Sequence, residues 1–313
     1  MESSPFISII IPLFNKEESI QGTLTSVLDQ TYTDFEVYVI NDGSTDSSAS
    51  KVKEIEGTDS RVHLISKQNG GVCSARNEGI RQSHSDLVAF LDADDLWSPD
   101  YLSEQIKMFS DFPQCSMWGI NYAETVKGAS IRNVPTGLPE GFRGVVEDYF
   151  RIPGRVSDLF CSSSVMIRKN VFEKVGMFDE RIRFSEDIDM WFRIIARYPV
   201  AFYDKFLVYY QFDAENRAMK KQKPIQFSLP FFVDKYKSFK DNQVFYRWIN
   251  RWCAQVITSY YFTEDADVQT AKIAASKLDY SVIPQKYTLY FKAPYLVGRL
   301  CHYLIGIKHK CFR

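Results

Sequence analysis

Residues 87–95 read Leu87-Val88-Ala89-Phe90-Leu91-Asp92-Ala93-Asp94-Asp95. The apolar run predicts a buried strand, and the three carboxylates that follow stand at its C-terminal edge. Clustered acids make a poor core and a good cation site. Hard cations such as Mg2+ and Mn2+ take oxygen ligands, and Mg2+ accepts one or two carboxylates while keeping positions for substrate phosphates. This stretch therefore points to metal-assisted chemistry on a phosphorylated substrate.

Around this stretch, strand and helix signals alternate. Phe6 to Ile11 is β-branched and apolar, and Ile20, Leu24, Val27 and Leu28 follow at helical spacing. Phe35 to Ile40 predicts a second strand, and Asn41-Asp42-Gly43-Ser44 turns into a helix that Asp46 or Ser47 can cap. Val62 to Ile65 predicts a third strand, and Asn69-Gly70-Gly71 opens a helix reaching about Gln82. Leu87 to Leu91 is the fourth, and Ser98-Pro99 offers a cap and a first-turn proline for a helix carrying Leu102, Ile106 and Phe109. This alternation predicts an α/β fold with a doubly wound, mostly parallel sheet. Such sheets bind ligands beyond the strand C-termini, and the polar clusters all fall on that edge.

The middle, about 110 to 220, is less regular. Cys115 to Ile120 and Ser163 to Ile167 suggest an antiparallel addition, and Phe184-Ser185-Glu186-Asp187 leads into a helix with Ile188, Trp191, Phe192 and Ile195 on one face, Ser185 being its N-cap candidate. From Lys221 the pattern is helical and aromatic: Val244, Trp248, Trp252 and Val256 recur every four residues, Asp265 to Leu278 reads as a second helix, and a third follows Pro284. The expected division is 1–220, catalytic, and 221–313, a basic and aromatic helical extension.

With 313 residues and a net charge of -1, the chain can bury a sizeable core and carries no global field for nucleic acid. Met-Glu-Ser-Ser-Pro lacks a basic n-region, and no apolar run approaches the roughly 18 residues of a bilayer span, so a cytoplasmic protein is expected. Cys73, Cys115, Cys161, Cys253, Cys301 and Cys311 are scattered without a C-x-x-C pair, and the histidines show no ligand spacing.

Five strings together resemble the family 2 glycosyltransferases in order and spacing: Ile11-Pro12-Leu13-Phe14-Asn15-Lys16-Glu17, Asn41-Asp42-Gly43-Ser44-Thr45-Asp46, Gly71-Val72-Cys73-Ser74-Ala75-Arg76-Asn77, Phe90 to Asp95, and Ser185-Glu186-Asp187-Ile188-Asp189-Met190-Trp191. The resemblance covers roughly residues 6 to 215. It implies a glycosyltransferase A fold with a nucleotide-binding sheet, a nucleotide-sugar donor, expected to be a UDP-sugar, and single-sugar transfer with inversion. It further implies donor contacts at Pro12, Asn15, Glu17, Asp42, Arg76 and Asp92, with Asp42 on the base. A Mn2+ or Mg2+ ion is implied on Asp94 with Asp92, and Asp187 matches the family's general base.

Bland roles stand beside these. Asp42 can bond its own turn, Arg76 can form a surface salt bridge, and Asp95 either joins the metal site or caps the turn toward Ser98. Glu17 can simply start a helix. Glu186 and Asp187 can merely stabilise a helix start, where the dipole is expected to hold Asp187 ionised. Trp191 either stacks on a sugar or belongs to the core.

After Asp279 all charged residues are basic (Lys286, Lys292, Arg299, Lys308, Lys310, Arg313), interleaved with Tyr287, Tyr290, Phe291, Tyr295, Leu296, Val297, Leu300, Leu304 and Ile305. Such an end either lies on an anionic bilayer surface or packs as an ordinary helix. The membrane alternative implies a peripheral enzyme on the cytoplasmic face, with a lipid-linked glycan acceptor in surface polysaccharide synthesis. No Gln-x-x-Arg-Trp signature of processive synthases is present. The rival classes are a nucleotidyltransferase, whose glycine-rich phosphate loop is missing, and a non-catalytic nucleotide-sugar-binding module. A Rossmann dehydrogenase is disfavoured, because no G-x-G-x-x-G follows the first strand.

Overall fold

The computed structural model describes residues 5–126, 129–133 (backbone only for 130–133), 136–152, 159–215, 224–262, 267–299 and 303. The chain divides into two compact units, Met1–Lys221 and Gln222–Arg313.

In the first unit β1 (Ile7–Leu13) is followed by α1 (Ile20–Leu28), β2 (Phe35–Asn41), α2 (Ser48–Glu56), β3 (Val62–Ser66), α3 (Val72–Gln82), β4 (Leu87–Phe90), β5 (Leu96–Trp97) and α4 (Tyr101–Asp111). Next come β6 (Met117–Val126), β7 (Ala129–Asn133), β8 (Arg143–Val145), β9 (Val165–Arg168), α5 (Asn170–Val175), α6 (Glu186–Ile195) and β10 (Val200–Gln211). One sheet runs β3-β2-β1-β4-β9-β6-β10-β5, with β7 on β6 and β8 on β10. β1 to β4, β6 and β10 point one way, and the others run against them.

The central strand explains itself. Ile7 pairs with Phe35 on one side and Leu87 on the other, and Ile7, Ile9, Ile10, Ile11 and Leu13 are all buried. A strand covered on both faces needs a continuous apolar run rather than alternation. Helix α3 comes so close that a Cβ on Gly79 would lie 2.4 Å from Ile10 Cγ2, so the position admits only glycine without a shift. The expected antiparallel addition is present as β9 and β6, which pair with each other, β9 also pairing antiparallel with β4.

The structure differs from the sequence expectations at two places. Helix α4 starts at Tyr101 with Asp100 at its N-cap position, not at Ser98-Pro99. Pro99 instead accepts the Thr31 N–H at 2.9 Å, tying the end of α1 to this turn. Strand β10 was not anticipated, because Asp204-Lys205 interrupts its apolar pattern where the register with β6 shifts between Tyr203 and Val208.

The second unit contains a 3-10 segment, Leu229–Phe239, and α7 (Gln243–Tyr261), α8 (Val268–Ser276) and α9 (Gln285–Lys292). Asn242 and Asp267 cap α7 and α8, their side chains accepting the N–H of Phe245 and Thr270. The stripe that recurs in the sequence, Val244-Trp248-Trp252-Val256, is only partly covered. The neighbouring stripe, with Phe245, Ile249, Cys253 and Ile257, is the buried one. Leu300, Cys301, His302, Leu304, Ile305, Lys308, His309, Lys310, Cys311 and Arg313 lie outside the described residues.

Candidate active site

The parallel strands β1, β2 and β4 deliver their following loops to one edge. At the end of β1 the chain turns through Asn15 with a positive φ of 51°. Asn15 Oδ1 accepts the Thr45 N–H at 2.8 Å, and Glu17 Oε2 accepts the Ser47 N–H at 2.9 Å. Both side chains therefore lace the β1 loop to the β2 loop, and Glu17 sits at the start of α2. Pro12 lies inside β1, opposite Ile40.

Asp42 follows β2 directly and is buried. Its Oδ1 accepts from Lys67 Nζ (2.7 Å) and the Gly70 N–H (2.9 Å), and its Oδ2 from the Gly71 N–H (2.7 Å). It holds the Asn69-Gly70-Gly71 turn rather than its own. Gly71, with φ 89°, is the residue that lets the chain turn into α3.

The acids after β4 have separate environments. Asp92 Oδ1 receives Arg76 Nη2 at 2.8 Å, and Asp94 Oδ2 receives Lys16 Nζ at 2.6 Å. Burial pushes the Asp94 carboxyl above its ordinary range, Lys16 opposing. Asp95 does not cap toward Ser98: its Oδ2 accepts from Ser163 Oγ at 2.5 Å and its Oδ1 from the Gln211 N–H at 3.1 Å. Burial, reinforced by the charges of Asp94 and Asp92, pushes it far up. Ser163 Oγ also accepts the Asp92 N–H at 3.0 Å, so this hydroxyl pins the acidic turn from both sides.

Arg76, 2% exposed, joins the two acidic segments. Its Nη1 reaches Glu186 Oε1 at 3.0 Å while Nη2 holds Asp92. It is not a surface salt bridge. Asp187 adjoins Glu186 in the first turn of α6, entered through Ser185 at φ 61° without a side-chain cap bond. Burial pushes Asp187 up, with Arg76 opposing, so the expected dipole-held ionisation is outweighed by desolvation. Glu186 is raised to about 7 by burial and by the charge of Asp187. Trp191 belongs to the core: it is buried against Phe90 and Phe178, with ring centroids 6.3 and 6.1 Å away.

Sequence reasoning gave no role to Lys16, Lys67 or Ser163. Nothing local separates Ser163 from Ser162 and Ser164, and the lysines acquire partners only when distant loops meet. A pocket of about 330 Å3 opens beside Asp94, lined also by Glu18, Ser19, Leu96, Gln211 and Glu215. That volume lies within the usual range of small-ligand sites.

Among the described residues no group of three or more His, Cys, Asp or Glu side chains converges on an ion position. Mg2+ or Mn2+ needs only one or two carboxylates when substrate phosphates complete its shell. Asp94 and Asp92 fit that demand: one oxygen of each is held by a cation, and their mutual repulsion favours added positive charge.

The fold resembles that of S. aureus TarS 1–349, with a TM-score of 0.75 at 16% identity, over 98% of this chain and 92% of that one. The TarS structure in complex with UDP-GlcNAc matches with a TM-score of 0.61 at 18% identity, over 93% of this chain and 76% of that one. These likenesses show the fold, an α/β architecture around a mostly parallel sheet. The family model for glycosyl transferase family 2 matches residues 8–176, more than half of the chain, and the chain belongs to that family. An uncharacterised glycosyltransferase of Rickettsia felis (strain ATCC VR-1525 / URRWXCal2) is 27% identical over 218 residues, 69% of this chain and 36% of that protein. TuaG of Bacillus subtilis (strain 168), named for teichuronic acid biosynthesis, is 34% identical over 108 residues, 34% of this chain and 43% of that protein. The chain thus spans about a third of the length of the Rickettsia felis relative.

Proposed function

We propose that this chain is an inverting glycosyltransferase that moves a single hexosyl or N-acetylhexosaminyl unit from a UDP-sugar to a hydroxyl acceptor. The observation that carries the reading is the Arg76 guanidinium, which spans Asp92 and Glu186 and so brings the acidic loop after β4 and the first turn of α6 to one crevice. Asp187 takes the acceptor hydroxyl's proton while that oxygen attacks the anomeric carbon. The new C–O bond forms as the bond to the diphosphate breaks, and UDP leaves with the electron pair. Its raised proton affinity suits Asp187 to this role, because a base titrating nearer the working pH accepts a proton more readily. A divalent cation, expected of this family and held by Asp94 and Asp92, would stabilise the departing diphosphate charge. Lys16 and Arg76 keep those two carboxylates in place. Asp42 faces the donor base, with Pro12 at the end of β1 and Asn15 and Glu17 in the loop that follows.

UDP-GlcNAc is the first donor to test, since it is bound in a TarS structure of the same fold. The TuaG likeness supports a role in surface polysaccharide synthesis. A lipid-linked acceptor and peripheral membrane contact are part of the proposal: Leu289, Leu296 (76% exposed), Val297 and Tyr303 stand out from the C-terminal unit amid Lys286, Lys292 and Arg299. No helix among the described residues is long and apolar enough to cross a membrane. Release from anionic vesicles by high salt tests the contact, and failure to sediment with them at low salt removes it.

The donor is tested by Mn2+-dependent hydrolysis across a panel of UDP-sugars, which needs no acceptor. Asp94→Ala abolishes turnover and weakens donor binding. Asp187→Asn keeps donor binding and loses transfer by a factor of roughly 100 to 10,000. Normal transfer by Asp187→Asn removes it as base.

A further inference from the structure

The two acids assigned to the cation already have positive partners inside the fold. Asp94 Oδ2 accepts from Lys16 Nζ at 2.6 Å, the side chains being 16% and 12% exposed, and Asp92 Oδ1 accepts from Arg76 at 2.8 Å. Lys16 is held in place at both ends: its backbone N–H donates to Ser48 Oγ at 2.8 Å, and its ammonium also donates to the Glu215 carbonyl. A dication arriving alone would add its whole charge to a site whose acids are already compensated. On the Asp94 oxygen that receives Lys16 it would stand within about 5 Å of the ammonium, and at this burial the repulsion is poorly screened. A diphosphate reverses the balance, because it brings negative charge and oxygens that accept from an ammonium.

We propose that Lys16 is a built-in competitor of the cation for Asp94, which yields that carboxylate only when a diphosphate arrives to receive the ammonium. The inference rests on the cation and nucleotide-sugar reading above and names the residue that makes the one depend on the other. An ammonium has three N–H groups, so Lys16 can meet a phosphate oxygen and keep the Glu215 carbonyl. Arg76 is unsuited to this exchange: it is 2% exposed and its other arm is tied to Glu186 at 3.0 Å, so it stays with Asp92. Lys16 keeps Asp94 in place until the exchange. Its effect falls on the order in which the site fills rather than on the bond that breaks.

Equilibrium dialysis of Mn2+ alone and calorimetric titration of UDP without metal test this on the full chain, using wild type, Lys16→Gln, Lys16→Met and Lys16→Arg. The two neutral variants are expected to bind Mn2+ roughly tenfold more tightly than wild type, and UDP without metal roughly tenfold more weakly. Lys16→Arg keeps the charge and stays near wild type in both. The opposite signs decide the matter: loss of a merely structural contact would weaken both ligands together, and that result overturns the inference. So does Mn2+ or UDP binding that is unchanged in the neutral variants. A gain in Mn2+ binding that persists when Asp94→Ala is added overturns it too, since the ion would then sit elsewhere. Glutamine retains a donor for the Glu215 carbonyl, so Lys16→Gln decides if Lys16→Met fails to fold. Wild type that binds no UDP refutes the donor reading itself, and the exchange with it, a failure distinct from unchanged Mn2+ binding.

Discussion

Replacing Glu186 by Gln separates two opposite readings of its contact with Arg76. As a salt bridge, the pair should favour the folded state most at high pH, where both partners are charged. The surroundings argue otherwise: the Glu186 side chain is only 13% exposed and adjoins Asp187. Burial, then the charge of Asp187, raise its carboxyl from an ordinary 4.5 to about 7 despite Arg76. An acid that binds its proton more tightly when folded contributes stability that is complete below about 4.5 and is lost as pH rises through about 7. At about 1.4 kcal/mol per pH unit, the gap amounts to about 3 kcal/mol. Glutamine keeps an oxygen for Arg76 and does not titrate. Thermal unfolding of both proteins from pH 4.5 to 9 should therefore show wild type losing ground to Glu186→Gln as pH rises, by roughly 6–12 °C in Tm across the range for a unit of this size. A Tm difference that stays flat, or one that moves in favour of wild type at high pH, refutes the reasoning.

Two further substitutions probe the scaffold. Ser163→Ala removes the hydroxyl that accepts the Asp92 N–H and donates to buried Asp95. It should cost about 1–3 kcal/mol, read as a lower urea midpoint with an unchanged slope; an unaltered midpoint would show that the acidic turn holds without it. Gly79→Ala puts a methyl 2.4 Å from Ile10 Cγ2 and should cost about 1–3 kcal/mol by overpacking. In a double-mutant cycle Ile10→Ala should recover part of that loss, and strict additivity would rule out this contact as the cause.

The strands β1, β2 and β4 were legible because a strand covered on both faces must be apolar throughout, and because the polar residues that follow each one end the apolar run sharply. Strand β10 was not, since its Asp204 and Lys205 fall where the pairing with β6 slips, and only the partner strand reveals that the chain continues beyond them. The acids of the candidate site could likewise be found, but their states could not. Asp95 reads like a metal ligand or a cap until Ser163 and the Gln211 N–H are seen to enclose it. Trp191 reads equally as a stacking platform or as core until Phe90 and Phe178 surround it.

What the amino-acid order determined alone is therefore the periodicity of each element and the side on which polar turns emerge, because both follow from interactions between near neighbours along the chain. The meeting of Arg76 with Glu186 across 110 positions was decided by the tertiary structure. So was the upward push on Asp187, because desolvation depends on everything packed around a carboxyl and not on the residues beside it in the chain.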